Sequence, residues 1–157
     1  MKKMLIAFAT MSGNTEDIAR LIENELKDEN LVIHLKTLEE LQISEIQSYD
    51  LVAAGTYTWG DGDLPYEIED LAEEWAEADF SMVKSAFFGS GDRSYPKFCE
   101  AAAILSRAFK RAGADVFPDI LKVELSPDDD TQQAMCRTFA KSFIKWTRAE
   151  EDAHRVS

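Results

Sequence analysis

MLIAFATMSGNTE (residues 4–16) joins an unbroken apolar run, Met4–Ala9, to a turn dense in hydroxyl and amide groups that carries neither Lys nor Arg. A short continuous apolar run reads as a buried strand, and Ile18, Leu21, Ile22 and Leu26 then fall on one face of a helix. The turn between them is therefore a helix N-terminus, where free N–H groups and a partial positive charge form an anion site without cationic side chains. Gly13 lets the backbone approach a ligand closely. The hydroxyls of Thr10, Ser12 and Thr15 and the amide of Asn14 add donors. This set suits a phosphate monoester. It lacks the Gly-Lys-Ser/Thr ending of a Walker loop and the glycine spacing of a dinucleotide fingerprint. A simple helix cap by Asn14 or Ser12 explains one of these residues but leaves the others without a role.

Working outward, the same alternation repeats. Leu31–Leu35, Leu51–Gly55 and the segment ending Ala86–Gly89 read as strands. A helix opening near Pro65 buries Ile68, Leu71, Ala72 and Trp75, and another runs from about Phe98 through Phe109 to a stop at Gly113. Val116–Val123 gives a fifth strand, which Pro118 assigns to a sheet edge. A last helix begins in the acidic run at 127–130 and packs Phe139, Phe143 and Trp146. The tail after about 147 is polar and reads as frayed. Apolar strands alternating with helices mean an α/β fold, a parallel sheet covered on both faces, whose ligands bind beyond the carboxyl ends of the strands.

The 157 residues are an expected single domain with 45% hydrophobic content and 30% charged residues. A net charge of −13 argues against nucleic acid or an anionic membrane as partner and favours a molecule with a basic face. The apolar run at the N-terminus is too short for a signal peptide, and no stretch is long enough to cross a membrane. Cys99 and Cys136 have no metal-ligand spacing and read as reduced thiols of a cytoplasmic protein.

Two more loops lie at the carboxyl edge. TYTWGDGDLP (56–65) places Trp59 among the hydroxyls of Thr56, Tyr57 and Thr58 and the glycines Gly60 and Gly62. FGSGDRSYPKFC (88–99) supplies Ser90, Gly91 and Asp92 and a second aromatic, Tyr95. A Trp in a Gly-rich turn can fold back on the surface. Two aromatics beside a phosphate-shaped turn instead suggest a planar ring held between Trp59 and Tyr95.

On these three loops the chain resembles the short-chain flavodoxins: ATMSGNTE their FMN phosphate loop, TYTWGD and GSGDRSYPKFC their two ring-stacking loops. The resemblance runs through Trp146 and implies a flavodoxin-like doubly wound five-stranded parallel sheet of strand order 2-1-3-4-5. It implies that FMN contacts Thr10, Met11, Ser12, Gly13, Asn14 and Thr15, with Met11 using its main chain. The same resemblance assigns Thr56, Tyr57, Thr58, Trp59 and Gly60 to the first ring loop and Ser90, Gly91, Asp92, Tyr95, Phe98 and Cys99 to the second. Backbone groups of Ser90, Gly91, Asp92 and Cys99 reach the pyrimidine edge, and the peptide after Gly60 turns toward the ring on one-electron reduction. Asp61, Asp63, Glu67 and Asp92 surround the ring with negative charge, and Arg93 is an unexpected cation among them.

The implied function is a low-potential one-electron carrier with non-covalently bound FMN and no substrate of its own. It is an expected monomer, shuttling between a flavodoxin or ferredoxin reductase and acceptor redox enzymes that dock on its acidic face. The alternative is an FMN-dependent NAD(P)H:quinone reductase-like enzyme of the same fold, which needs a nicotinamide pocket for which the chain has little spare length. A response-regulator receiver needs acids where Thr10 to Ser12 stand. A low-molecular-weight phosphatase needs a cysteine in the first loop, and both cysteines lie elsewhere.

Overall fold

The computed structural model describes residues 1–9, 11–58 and 62–156, and the side chains of the last helix as far as Ala153. Its strands are β1 (Lys2–Phe8), β2 (Leu31–Thr37), β3 (Leu51–Tyr57), β4 (Lys84–Gly91) and β5 (Asp115–Glu124). Between and after them run α1 (Asn14–Leu26), α2 (Ile43–Gln47), α3 (Tyr66–Ala76), α4 (Glu100–Arg111) and α5 (Asp130–Val156). All strand pairs are parallel, in the order β2-β1-β3-β4-β5.

Alternation along the strands builds two cores. Met4, Ile6 and Phe8 of β1 face α1 and α5, packing with Ile18, Ile22, Phe139 and Phe143. Leu5 and Ala7 face the other side with Ile68 and Trp75 of α3 and Leu105 and Phe109 of α4. Both faces are apolar because both are covered, so the strands read as continuous rather than alternating runs. Close packing fixes Gly55 of β3, where a Cβ would stand 2.0 Å from the Phe88 ring. β5 lies at the edge, and its register with β4 slips between Ser85 and Phe87, opposite the segment holding Pro118. A proline has no N–H for the ladder, so an edge bulge accommodates it.

Two features depart from the sequence reading. α2 spans five residues, too few to show a helical period, and is held by a reciprocal capping box between Gln42 and Glu45. α5 continues to Val156 instead of fraying after about 147. Its added turns are anchored: Thr147 is buried, Glu151 pairs with Lys2 and Lys84 at the amino ends of β1 and β4, and Arg148 pairs with Glu29. Polarity there marks ion pairing across the sheet's lower rim.

Candidate functional site

The loops after β1, β3 and β4 converge at the carboxyl edge, on either side of the central strand pair β1 and β3. α1 starts from Gly13, whose φ of 90° is left-handed, with no side-chain cap on the helix. A Cβ there meets nothing within 4 Å, so backbone conformation, not crowding, calls for glycine. The N-cap position is Gly13, not Asn14 or Ser12, so a cap by either of those side chains does not account for them.

Two cavities adjoin at this edge. A smaller one, about 160 Å³, is lined by Met11, Ser12, Asn14, Thr15 and Ser90, closed at one side by Leu125. A larger one, about 260 Å³, is lined by Tyr95, Lys97, Phe98 and Cys99. Met11, Tyr57, Thr58, Gly91 and Asp92 belong to both, so the two are compartments of one groove. The hydroxyl-rich end and the aromatic end of the sequence motif are thus physically contiguous.

Hydrogen bonds tie the loops together. Thr15 Oγ1 and Ser90 Oγ lie 2.8 Å apart, both side chains buried, joining the first turn to the end of β4. Thr58 Oγ1 accepts from the N–H of Ala101 at 3.2 Å, so the second loop caps α4 in trans. α4 needs that partner because its own N-cap, Cys99, is left-handed (φ 57°) and makes no side-chain cap. The Thr56 hydroxyl is buried and donates to the Tyr57 carbonyl at 2.9 Å, stiffening the end of β3. Thr56 and Gly13 line neither cavity and act on the groove through the backbone they set.

The charges are also placed by local bonds. The Asp92 carboxylate accepts from the hydroxyl and the N–H of Ser94, at 2.7 and 2.9 Å, and these donors hold its pKa below the ordinary carboxylate value. It therefore stays anionic while lining both compartments. The Tyr57 hydroxyl points to Glu67 at 3.4 Å; burial, then the adjacent carboxylate, raises its pKa. Asp63 lies apart, in a groove between α3 and α4 with Glu69 and Arg107. Burial pushes the Cys99 thiol up to about 11, so it stays protonated at the floor of the larger compartment. Arg93 lines neither compartment directly; it pairs with Glu124 at 2.9 Å and lies over the ring of Phe98, which lines the larger one.

Of the residues picked out from the sequence, Thr10, Trp59 and Gly60 lie outside the described residues, as does Asp61. Ser90 lines the smaller compartment, where its hydroxyl meets Thr15; the resemblance names only its backbone. Leu125 and Lys97 were not singled out. Leu125 has a φ of 56° and donates its N–H to the Gly91 carbonyl at 2.7 Å, which carries it to the groove rim. Its position just past β5, at the same sheet edge, was the available signal. Lys97 lies across Gly62, where a Cβ would come within 2.5 Å of its side chain, so the second and third loops meet there.

The groove passes a test of fit to a phosphate-tailed flat ring. The uncapped α1 terminus and three hydroxyl or amide side chains, Ser12, Asn14 and Thr15, stand at one end. At the other, Tyr95 is 60% exposed and lines the compartment instead of packing inward. Gly91 lets the end of β4 pack close to the larger compartment's wall, since a Cβ there would sit 3.2 Å from Cys99 N, Cys99 Sγ and Phe98 Cδ1.

Comparison with known proteins follows the same line. A protein-family model described as flavodoxin matches residues 6–139. The chain is 49% identical over 146 residues to probable flavodoxin 1 of Bacillus subtilis, covering 93% of this chain and 92% of that one. It is 41% identical over 148 residues to probable flavodoxin 2 of the same organism, covering 92% and 96%. The crystal structure of oxidised flavodoxin 2 from Bacillus cereus superposes with a TM-score of 0.88 at 41% identity, covering 91% of this chain and 98% of that one.

Proposed function

The chain belongs to the flavodoxin family, FMN-binding carriers of electrons, and on that premise we propose that it shuttles single electrons from a flavodoxin or ferredoxin reductase to acceptor redox enzymes. The observation that carries the reading is the two-compartment groove, hydroxyl-rich at α1 and aromatic at the loop holding Tyr95.

In this reading the α1 terminus, Thr10, Ser12, Gly13, Asn14 and Thr15 hold the phosphate of FMN. No charged side chain is needed, because helix N–H groups and neutral hydroxyls meet the anion. Met11, Thr56, Tyr57 and Thr58 line or shape the middle, and Trp59 and Tyr95 cover the ring faces. Gly91, Asp92, Phe98 and Cys99 form the edge and floor, and Gly60 keeps the peptide before Asp61 free to turn. Bound there, FMN supplies one-electron redox chemistry, and the protein adjusts which oxidation state is favoured. Asp92 and Glu67 oppose added negative charge in the groove. A carboxylate ~10 Å away at an effective dielectric of ~40 contributes about 0.8 kcal/mol. Removing water around Phe98 and Cys99 strengthens that effect.

The exposed acids of α3, Glu67, Glu69, Asp70, Glu73 and Glu74, with Glu77 at its C-cap, form a negative flank beside the groove. A reductase or acceptor with a basic face docks there, steered from a distance and released quickly because the contact is polar and screened. The protein acts as a cytoplasmic monomer. Purified full-length protein should be yellow with flavin bands and bleach with dithionite. Its reduction by a flavodoxin reductase should slow steeply as salt rises. NADPH oxidation by the protein alone would replace this reading with that of a quinone reductase-like enzyme.

A further inference from the structure

The Thr15–Ser90 pair differs from the other polar contacts of the groove. Ser90 is 2% exposed and Thr15 fully buried, and their oxygens are 2.8 Å apart across elements 75 residues apart in sequence. Either hydroxyl can be the donor when nothing occupies the groove. Ser90 lines the compartment at α1 and not the one that holds Tyr95 and Cys99. Its strand neighbours in register are Tyr57 and Val123, and its hydroxyl reaches Thr15 in the first turn of α1.

We propose that Ser90 is a positioning residue for the phosphate end: its O–H donates to Thr15 Oγ1, which commits the Thr15 proton to a phosphate oxygen in the groove. A hydroxyl has one proton and two lone pairs. An anion accepts and cannot donate, so Thr15 must turn its proton outward to meet it. That rotation would leave the Ser90–Thr15 contact without a donor unless Ser90 supplies one. Ser90 is a hydroxyl, so it can reverse the direction of the bond, and it is buried where water cannot substitute. The resulting chain, Ser90 O–H to Thr15 O–H to phosphate, is fixed at its base by the β4 backbone and is strengthened by the charge at its outer end. A main-chain contribution of Ser90 to the ring edge is not required by this role.

The inference rests on the FMN reading above, and its test separates the two. Full-length protein stripped of flavin is titrated with FMN and with riboflavin, which has the ring but no phosphate. Ser90→Ala should weaken FMN about tenfold and leave riboflavin unchanged, since only the phosphate-directed bond is lost. Thr15→Val should weaken FMN at least as much, and adding Ser90→Ala to it should cost little more, because the two hydroxyls act as one unit. Retained riboflavin binding shows that each variant is folded. Equal weakening of both flavins by Ser90→Ala, no weakening of FMN, or full additivity with Thr15→Val overturns the role of Ser90 while the FMN reading stands. Failure of the unsubstituted protein to bind either flavin overturns both.

Discussion

Two helices begin at the same edge of the sheet, and their N-termini are built alike but used differently. α1 and α4 both start from a left-handed residue with no side-chain cap of its own, Gly13 at φ 90° and Cys99 at φ 57°. At α4 the deficit is met inside the protein, where Thr58 Oγ1 takes the Ala101 N–H and Cys99 is buried. At α1 the N-cap is a glycine with no side chain to offer, and the turn lines the hydroxyl-rich compartment. One terminus is thus joined to a neighbouring loop, and the other faces the compartment proposed to take the phosphate. Helix geometry alone does not separate these roles. What separates them is whether a neighbouring loop has already supplied the acceptor.

The contrast predicts which substitutions harm binding and which harm stability. Gly13→Ala should have the largest effect on FMN affinity, weakening it tenfold or more. A non-glycine residue at this φ is strained by about 1–3 kcal/mol, and the turn must hold that shape to meet the phosphate. Riboflavin should be affected far less, and an equal loss for both flavins would erase the distinction between the two helix starts. Thr58→Val should act on stability as well, because Thr58 both lines the groove and caps α4. Loss of the cap on α4 should lower unfolding free energy by about 1 kcal/mol in a urea titration, with Thr58→Ser near the parent. A Thr58→Val protein of unchanged stability would mean that the trans cap does not hold α4.

The smallest effect concerns charge. Arg93→Ala leaves Glu124 without its cation near Phe98, and should make the second reduction potential of the bound flavin more negative by about 20 mV at low salt. The shift should fade as ionic strength rises. No shift at low salt would place the Arg93–Glu124 pair out of electrostatic reach of the ring.

The same contrast explains what could be read from the sequence. The turn at 9–16 was legible because its chemistry is local: a buried strand, a glycine and a cluster of donors on consecutive residues. The sheet order came with the resemblance, and the apolar runs locate every strand. α2 was missed because Ile43–Gln47 is shorter than two turns. The end of α5 was misread because its support lies on distant strands, at Lys2 and Lys84. The resemblance gives Ser90 a role through its backbone only, and its side chain meets Thr15, a partner 75 residues away that no motif spacing reveals. Leu125 and Lys97 likewise reach the groove only through contacts between loops. Motif order reports the backbone path and leaves open which way a strand-end side chain faces.

The central claim is that an uncapped helix start with neutral donors fixes the tail of FMN while the aromatic compartment takes the ring. Fluorescence titration of flavin-free, full-length protein against FMN and riboflavin tests it most directly. One FMN should bind per chain, at least tenfold more tightly than riboflavin. FMN binding no tighter than riboflavin, or no quenching by either, would contradict the account.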